Sequence, residues 1–150
     1  MYTRQEASQI RKRFWTLFGQ YMKPVPGASG QAINWLNYKT GKKNIYIRME
    51  AERDCAAIRL ELRHPDAALR QYYFEQVNNF KQLLSNDTGP EWCWPATAIN
   101  TGSSAAVIVE ARVEGVNVME ESGWPQIISF LKPRIIALDQ FWEAIKDLLE

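Results

Sequence analysis

The sequence predicts one α+β domain, covering residues 1–150, in which an N-terminal helix precedes two strand-strand-strand-helix units. Three observations support this. Apolar residues recur at helical spacing before position 22, they alternate with polar residues in 45–63 and 107–113, and turn residues separate these segments. We expect an antiparallel sheet with helices packed on one face, and 150 residues suffice to bury one core.

The first helix is predicted from about Thr3 to Met22. Thr3 and Glu6 have the spacing of a capping box, in which two side chains satisfy free amides in the first turn. The apolar stripe then follows one helical face. Proline at position 24 and glycine at position 27 end the helix.

A three-stranded meander is predicted over residues 31–63. A strand from Ala32 to Lys39 turns at Thr40-Gly41 into two strands of alternating pattern. One face of these strands is apolar, and it carries Ile45, Ile47, Met49, Ile58, Leu60 and Leu62. The opposite face is polar, and it carries Tyr46, Arg48, Glu50, Arg59, Glu61 and Arg63.

A second helix is predicted from the His64-Pro65-Asp66 turn to about Ser85, because proline is tolerated in a first helical turn. The strand-strand-strand-helix order then recurs. Strands are expected at 92–99, 107–113 and 116–118, with Val107 and Val109 buried and a tight turn at Glu114-Gly115. The final helix follows Pro125, and Pro133 should kink or split it.

Several classes of function are disfavoured by composition. His64 is the only histidine, so a multi-histidine metal site is impossible within one chain, and no phosphate-binding loop, dinucleotide motif or nucleophile elbow is present. Cys55 and Cys93 match no zinc or disulfide pattern and are expected to be free and buried. The N-terminus has no leader-like apolar run, and no segment could span a bilayer, so we expect a cytoplasmic protein.

One arrangement has the residue types of a catalytic site. Glu50, Glu61 and Arg63 share the polar face, and two carboxylates near a cation fit a magnesium-dependent phosphodiester cleavage site. A nuclease of the PD-(D/E)xK kind carries Lys where Arg63 stands, and arginine stays protonated, so it cannot take a proton from water. The preferred interpretation is a lattice of charges that pair across strands.

Charge is distributed unevenly around a net value of +1. Residues 1–63 hold 12 Lys and Arg against 5 Asp and Glu, whereas residues 64–150 hold 6 against 12. This asymmetry predicts either a basic binding surface or two halves that attract each other. Lysines 39, 42 and 43 flank the first hairpin. The candidate binding residues are Arg11, Lys12, Arg13, Tyr46, Arg48, Arg59 and Arg63.

These patterns favour a non-enzymatic binding or accessory module. Its partner would be a protein or a nucleic acid, with no membrane and no metal or cofactor, and a homo-oligomer is left open. The alternative is a metal-dependent nuclease, degenerate or active, centred on Glu50 and Glu61 with magnesium as cofactor.

Three segments carry a resemblance to a known family: FWTLFGQYM at 14–22, INWLNYKTG at 33–41 and KPRIIALDQFW at 132–142. With them the chain resembles a bacterial family, domain-of-unknown-function family 4268, over nearly its whole length. Its members resemble stand-alone small proteins or C-terminal companions of nuclease-like modules. The resemblance implies no established activity and no catalytic residues, but it implies an accessory role linked to DNA processing or defence.

Overall fold

The computed structural model describes residues 2–88, 92–94, 100–101 and 104–149. It is an α+β fold that begins with a helix, as predicted. The helices are α1 (Arg4–Met22), α2 (Ala67–Asn78), α3 (Lys81–Thr88) and α4 (Trp124–Ile145). The strands are β1 (Ile45–Ala51), β2 (Cys55–Leu62), β3 (Asn100–Thr101), β4 (Ser104–Ala105) and β5 (Val107–Glu114).

The main sheet is antiparallel and has the strand order β1-β2-β5. The β1–β2 hairpin pairs Ile45 with Leu62, and β2 pairs with β5 so that Leu60 lies opposite Val109. Since β2 is central, β1 has one edge without a partner strand among the described residues. The short strands β3 and β4 pair with each other in a separate ladder.

The core lies on the apolar face that the alternation predicted. Ile58 and Leu60 are completely buried, and they belong to one cluster with Phe14 and Phe18 of α1 and Leu138 of α4. Among the residues expected to be buried, Ile45, Ile47 and Val109 are also confirmed, whereas Val107 is only half-buried. Burial of large apolar side chains stabilises such a fold by about 1.5–3 kcal/mol each.

The predicted strand from Ala32 to Lys39 is wrong. This segment takes an irregular path because its aromatic residues are hydrogen-bonded elsewhere: Trp35 Nε1 donates to Val25 O at 3.0 Å, and Tyr38 Oη donates to Asp139 Oδ1 at 2.5 Å. The expected three-stranded meander is therefore a two-stranded hairpin of β1 and β2. The third strand of the sheet is β5, which lies much further along the sequence and pairs with β2.

The second strand-strand-strand-helix unit is not confirmed either. Residues 116–118 form a loop, because Gly115 (φ +79°) redirects the chain and Val118 N–H donates to Glu52 O at 3.0 Å. Val118 is completely buried, so its apolar character serves the core rather than a strand. Of the strand predicted at 92–99, residues 95–99 lie outside the described residues, and Cys93 forms one antiparallel bridge to Glu110.

The helices also depart from prediction at two points. The single helix expected to reach Ser85 divides into α2 and α3, because Phe80 N–H bonds to Val77 O in a tighter turn between them. Conversely, α4 is continuous through Pro133, so of the two outcomes expected there, a kink or a split, the split is wrong. Leu131 and Ile135, on either side of that proline, are completely buried, and their burial offsets a helix-interior proline cost of about 3 kcal/mol.

Both cysteines are free, as predicted, but only Cys55 is buried. Cys93 is exposed, which corrects the expectation for that residue. Its strand-like bridge to Glu110 places it at the margin of the sheet rather than in the core. No helix within the described ranges has the length and apolar character needed to cross a membrane.

Candidate functional site

The polar face of the sheet consists of three cross-strand rows. Their order follows from the antiparallel registers of β1 with β2 and of β2 with β5. The rows are Tyr46–Glu61–Ile108, Arg48–Arg59–Glu110 and Glu50–Ala57–Arg112. Side chains directly opposite one another lie on the same face and are close enough to interact.

The predicted lattice of ion pairs is present on this face and extends onto β5. Arg59 in the centre bonds to Glu50 at 2.8 Å and to Glu110 at 2.7 Å. Glu61 accepts from Arg63 at 2.8 Å and lies 3.3 Å from Arg48. The side chain of Glu61 is only 4% exposed, although it was expected to face solvent, and its closer ion pair, with Arg63, offsets most of the cost of burying the carboxylate.

The candidate catalytic carboxylates do not meet. Glu50 lies opposite Ala57, which is four residues from Glu61 along β2, or about 14 Å at 3.4 Å per residue. The row formed by Arg48 and Arg59 lies between them. Each carboxylate is bound by a different arginine, so the geometry does not favour one magnesium ion held by both at about 2.1 Å. Among the described residues, no group of three or more His, Cys, Asp and Glu is placed to hold a metal.

Exposure differs between the centre and the edge of this face. The side chain of Arg59 is 14% exposed, whereas that of Arg48, on the edge strand, is 53% exposed. The guanidinium of Arg48 lies 4.3 Å from the centre of the Tyr46 ring, a cation–π contact that leaves both side chains at the surface. Tyr46 and Arg48 therefore form the accessible part of the predicted binding set.

An open cleft of about 530 Å³ adjoins this exposed pair. One wall is the outer edge of β1 from Ile45 to Met49, and the other is the irregular segment from Leu36 to Lys42. Among the described residues, its lining contains the cations Lys39, Lys42 and Arg48 and no carboxylate. The cleft can therefore accept a negatively charged or hydrogen-bonding partner along a strand edge.

The basic residues of α1 do not form one patch with this cleft. Three consecutive helical positions project about 100° apart, and their contacts differ accordingly. Arg11 bonds to Glu52 at 2.8 Å, Arg13 lies 5.8 Å from the centre of the Trp124 ring, and Lys12 is exposed. Because α1 packs on the apolar side of the sheet, these three residues and Arg48 occupy different surfaces.

His64 has the helix-entry position that the sequence indicated. It precedes α2, is 6% exposed, and stacks on Tyr73 with ring centres 4.5 Å apart. Burial, with a smaller contribution from the charge of Arg70, holds the pKa of His64 below its usual value. This packing gives the imidazole a structural role.

Sequence reasoning missed the cleft itself. The strand predicted over residues 32–39 would cover the edge of β1, and Lys39 and Lys42 would then only flank the first hairpin. The available signal was the three lysines next to the β1 hairpin, which have no acidic neighbour between positions 31 and 49.

Comparison with known proteins gives one positive result. A family model described as a domain of unknown function, DUF4268, matches residues 10–146. No curated protein and no solved structure matches the chain.

Proposed function

The chain belongs to the DUF4268 family, and we propose that it is a non-enzymatic binding module that contacts its partner through the exposed part of the charged face. The contact surface is defined by Tyr46, Arg48 and the cleft beside them. The observation that carries this proposal is the position of Arg48. Its side chain is more exposed than those of Arg59, Arg63 and Arg112, and it lies at the rim of a cleft whose described lining residues include cations and no carboxylate.

Two other arginines of the predicted binding set, Arg59 and Arg63, bond mainly to carboxylates of the sheet itself. Arg59 and Arg63 compensate Glu50, Glu61 and Glu110, so their charges are largely neutralised within the sheet. Arg48 is the exception, because its partner Glu61 is already bound more closely by Arg63. Charges of this kind at a rim steer a partner and fix its orientation more than they supply affinity.

An accessory role beside a nuclease-like protein is part of the proposal. It follows from the resemblance of the chain to proteins found alone or next to such modules. In that role the chain would supply contact rather than chemistry, which agrees with the separation of Glu50 and Glu61 across the arginine row.

The test is site-specific photocrosslinking in a cell lysate of the source organism, in which the salt concentration can be varied. A benzophenone amino acid replaces Tyr46, which is 37% exposed, and a matched control replaces Tyr72 of α2, which is 42% exposed. We expect discrete crosslinked species from position 46 that are absent from position 72 and that decrease when salt is raised. Equal or absent crosslinking at the two positions would remove the support for this surface.

The nuclease alternative is tested in parallel with purified protein and either magnesium or manganese. Cleavage of DNA or RNA by the wild type that disappears in both Glu50→Gln and Glu61→Gln, with the fold intact by circular dichroism, would overturn the proposal. We expect no cleavage that depends on these carboxylates.

A further inference from the structure

We propose that the free edge of β1 binds an extended acidic segment of a partner protein, which adds to the sheet as an antiparallel strand. This inference rests on the proposed function and specifies the partner class for the same surface. Strand addition requires an edge with unpaired backbone groups, room beside it, and sites for alternate side chains.

The unpaired backbone groups can be identified from the ends of the hairpin. Arg63 N–H donates to Asn44 O, and Glu52 N–H donates to Cys55 O, both at 2.8 Å. In an antiparallel ladder, hydrogen-bonded residue pairs alternate with pairs that are not hydrogen-bonded. Residues 46, 48 and 50 therefore direct their amides and carbonyls towards β2, as residues 44 and 52 do. The backbone groups of Ile47 and Met49 consequently point outward into the cleft.

The edge is open because the fold holds the neighbouring segment away from it. Trp35 and Tyr38 bond to Val25 O and Asp139, which anchors residues 35–38 to other parts of the chain. At one end, Thr40 Oγ1 donates to Ile45 O at 2.7 Å and so closes the edge before Ile47. The open part of the edge therefore begins at Ile47 and continues to Met49.

The two sides of this edge offer different side-chain sites. On the core side, Trp15, Leu36 and Met49 line an apolar cavity of about 220 Å³. On the polar side, Arg48 is exposed next to Tyr46, and Lys39 and Lys42 line the same cleft. Lys42 Nζ donates to the carbonyl of Leu149, which is uncharged, so this contact does not neutralise the positive charge of the lysine. An added strand with alternating apolar and acidic residues fits both sides.

Charge decides between an acidic peptide and other occupants. The described residues of the cleft lining include three cations and no carboxylate, which favours acidic side chains opposite Arg48. The apolar cavity and the outward amides of Ile47 and Met49 favour a polypeptide over a nucleic acid, whose backbone offers phosphates and no alternating apolar side chains.

The probe is the fluorescently labelled, acetylated and amidated peptide Val-Glu-Val-Glu-Val-Glu-Val, with binding measured by anisotropy. In an antiparallel pair, two residues that are hydrogen-bonded to each other have their side chains on the same face. The peptide residues bonded to Ile47 and Met49 therefore lie on the apolar face, and in this peptide they are the valines. N-methylation of the valine amides should weaken binding about tenfold or more, whereas N-methylation of the glutamate amides should leave it within about twofold.

Two protein variants test the side-chain part. Arg48→Gln should weaken peptide binding about threefold at low salt, because it removes one exposed charge. Arg112→Gln is the matched control: Arg112 lies on the same face, is 40% exposed, and belongs to the opposite edge strand. It should not change peptide affinity, and both variants should keep the wild-type unfolding midpoint within a few degrees.

Three results would overturn the inference. They are equal binding of the two N-methylated peptides, equal binding of a single-stranded oligonucleotide of the same charge, and concentration-dependent dimerisation that blocks the peptide. Absence of peptide binding by folded protein would also overturn it, since the cations would then only protect an edge from aggregation. The crosslinking at position 46 is read independently, so it can succeed while strand addition fails.

Discussion

Removal of the Asp139 carboxylate should destabilise the protein more than any other single change to a polar side chain of α4. Asp139 is 2% exposed and accepts two hydrogen bonds, from Tyr38 Oη at 2.5 Å and from Ala28 N–H at 2.7 Å. Hydrogen bonds to a charged group contribute about 1.5–3 kcal/mol each, so Asp139→Ala should cost about 3–6 kcal/mol. That is a large part of the roughly 5–15 kcal/mol by which domains of this size are stable.

The measurement is urea unfolding followed by tryptophan fluorescence, with the free energy of unfolding extrapolated to water. Tyr38→Phe removes one of the two bonds and should cost about half as much. Asp147→Ala is the matched control, because Asp147 is exposed just beyond the same helix and should change stability by no more than about 0.5 kcal/mol. If Asp139→Ala behaves like Asp147→Ala, the argument that these bonds anchor residues 25–38 is refuted.

Two further predictions concern titratable groups. The pKa of His64 is lowered in the folded protein, so the unfolded chain takes up the proton first as pH falls below about 6.5. The free energy of unfolding should therefore decrease on acidification below that pH. His64→Phe should reduce this dependence of stability on pH. NMR titration of the only histidine checks it: a midpoint at or above 6.5 contradicts the burial argument. Burial raises the pKa of Cys55 to about 11, so a thiol reagent at pH 8 should label Cys93 rapidly and Cys55 only on unfolding; equal rates would contradict this.

The sheet and its faces were predictable because they depend on local alternation. Ile45 and Ile47 on β1, and Ile58 and Leu60 on β2, are buried where a period of two places them. A shift of one residue in either strand would turn the buried residues of that strand to the other face, so burial specifies the register strongly. The capping box of α1 was also predictable, because it depends only on neighbouring residues: Thr3 and Glu6 each accept a hydrogen bond from the other's backbone amide within one turn.

The path of residues 32–39 was not predictable from local pattern. Their apolar and aromatic residues, followed by the Thr40-Gly41 turn, are compatible with a strand, but their structure depends on Asp139, which lies about a hundred positions away in sequence. Nothing within the segment shows that a buried carboxylate on α4 will accept from Tyr38. The path of residues 116–118 was not predictable from local pattern either. Val118 packs into the core beside the hairpin and does not pair with a strand.

The polar face shows how position in the sheet divides residues that sequence treats alike. Glu61 and Arg48 have equivalent places in the alternation, yet Glu61 lies on the central strand between Tyr46 and Ile108, whereas Arg48 has a neighbouring strand on one side only. A central polar side chain is screened from both sides and must be paired internally. An edge side chain keeps part of its surface for a partner. β2 becomes the central strand only because β5, which lies far along the sequence, pairs with it. This long-range pairing of β2 with β5 is the reason why the candidate site lies at the edge of β1 and not at the centre of the face.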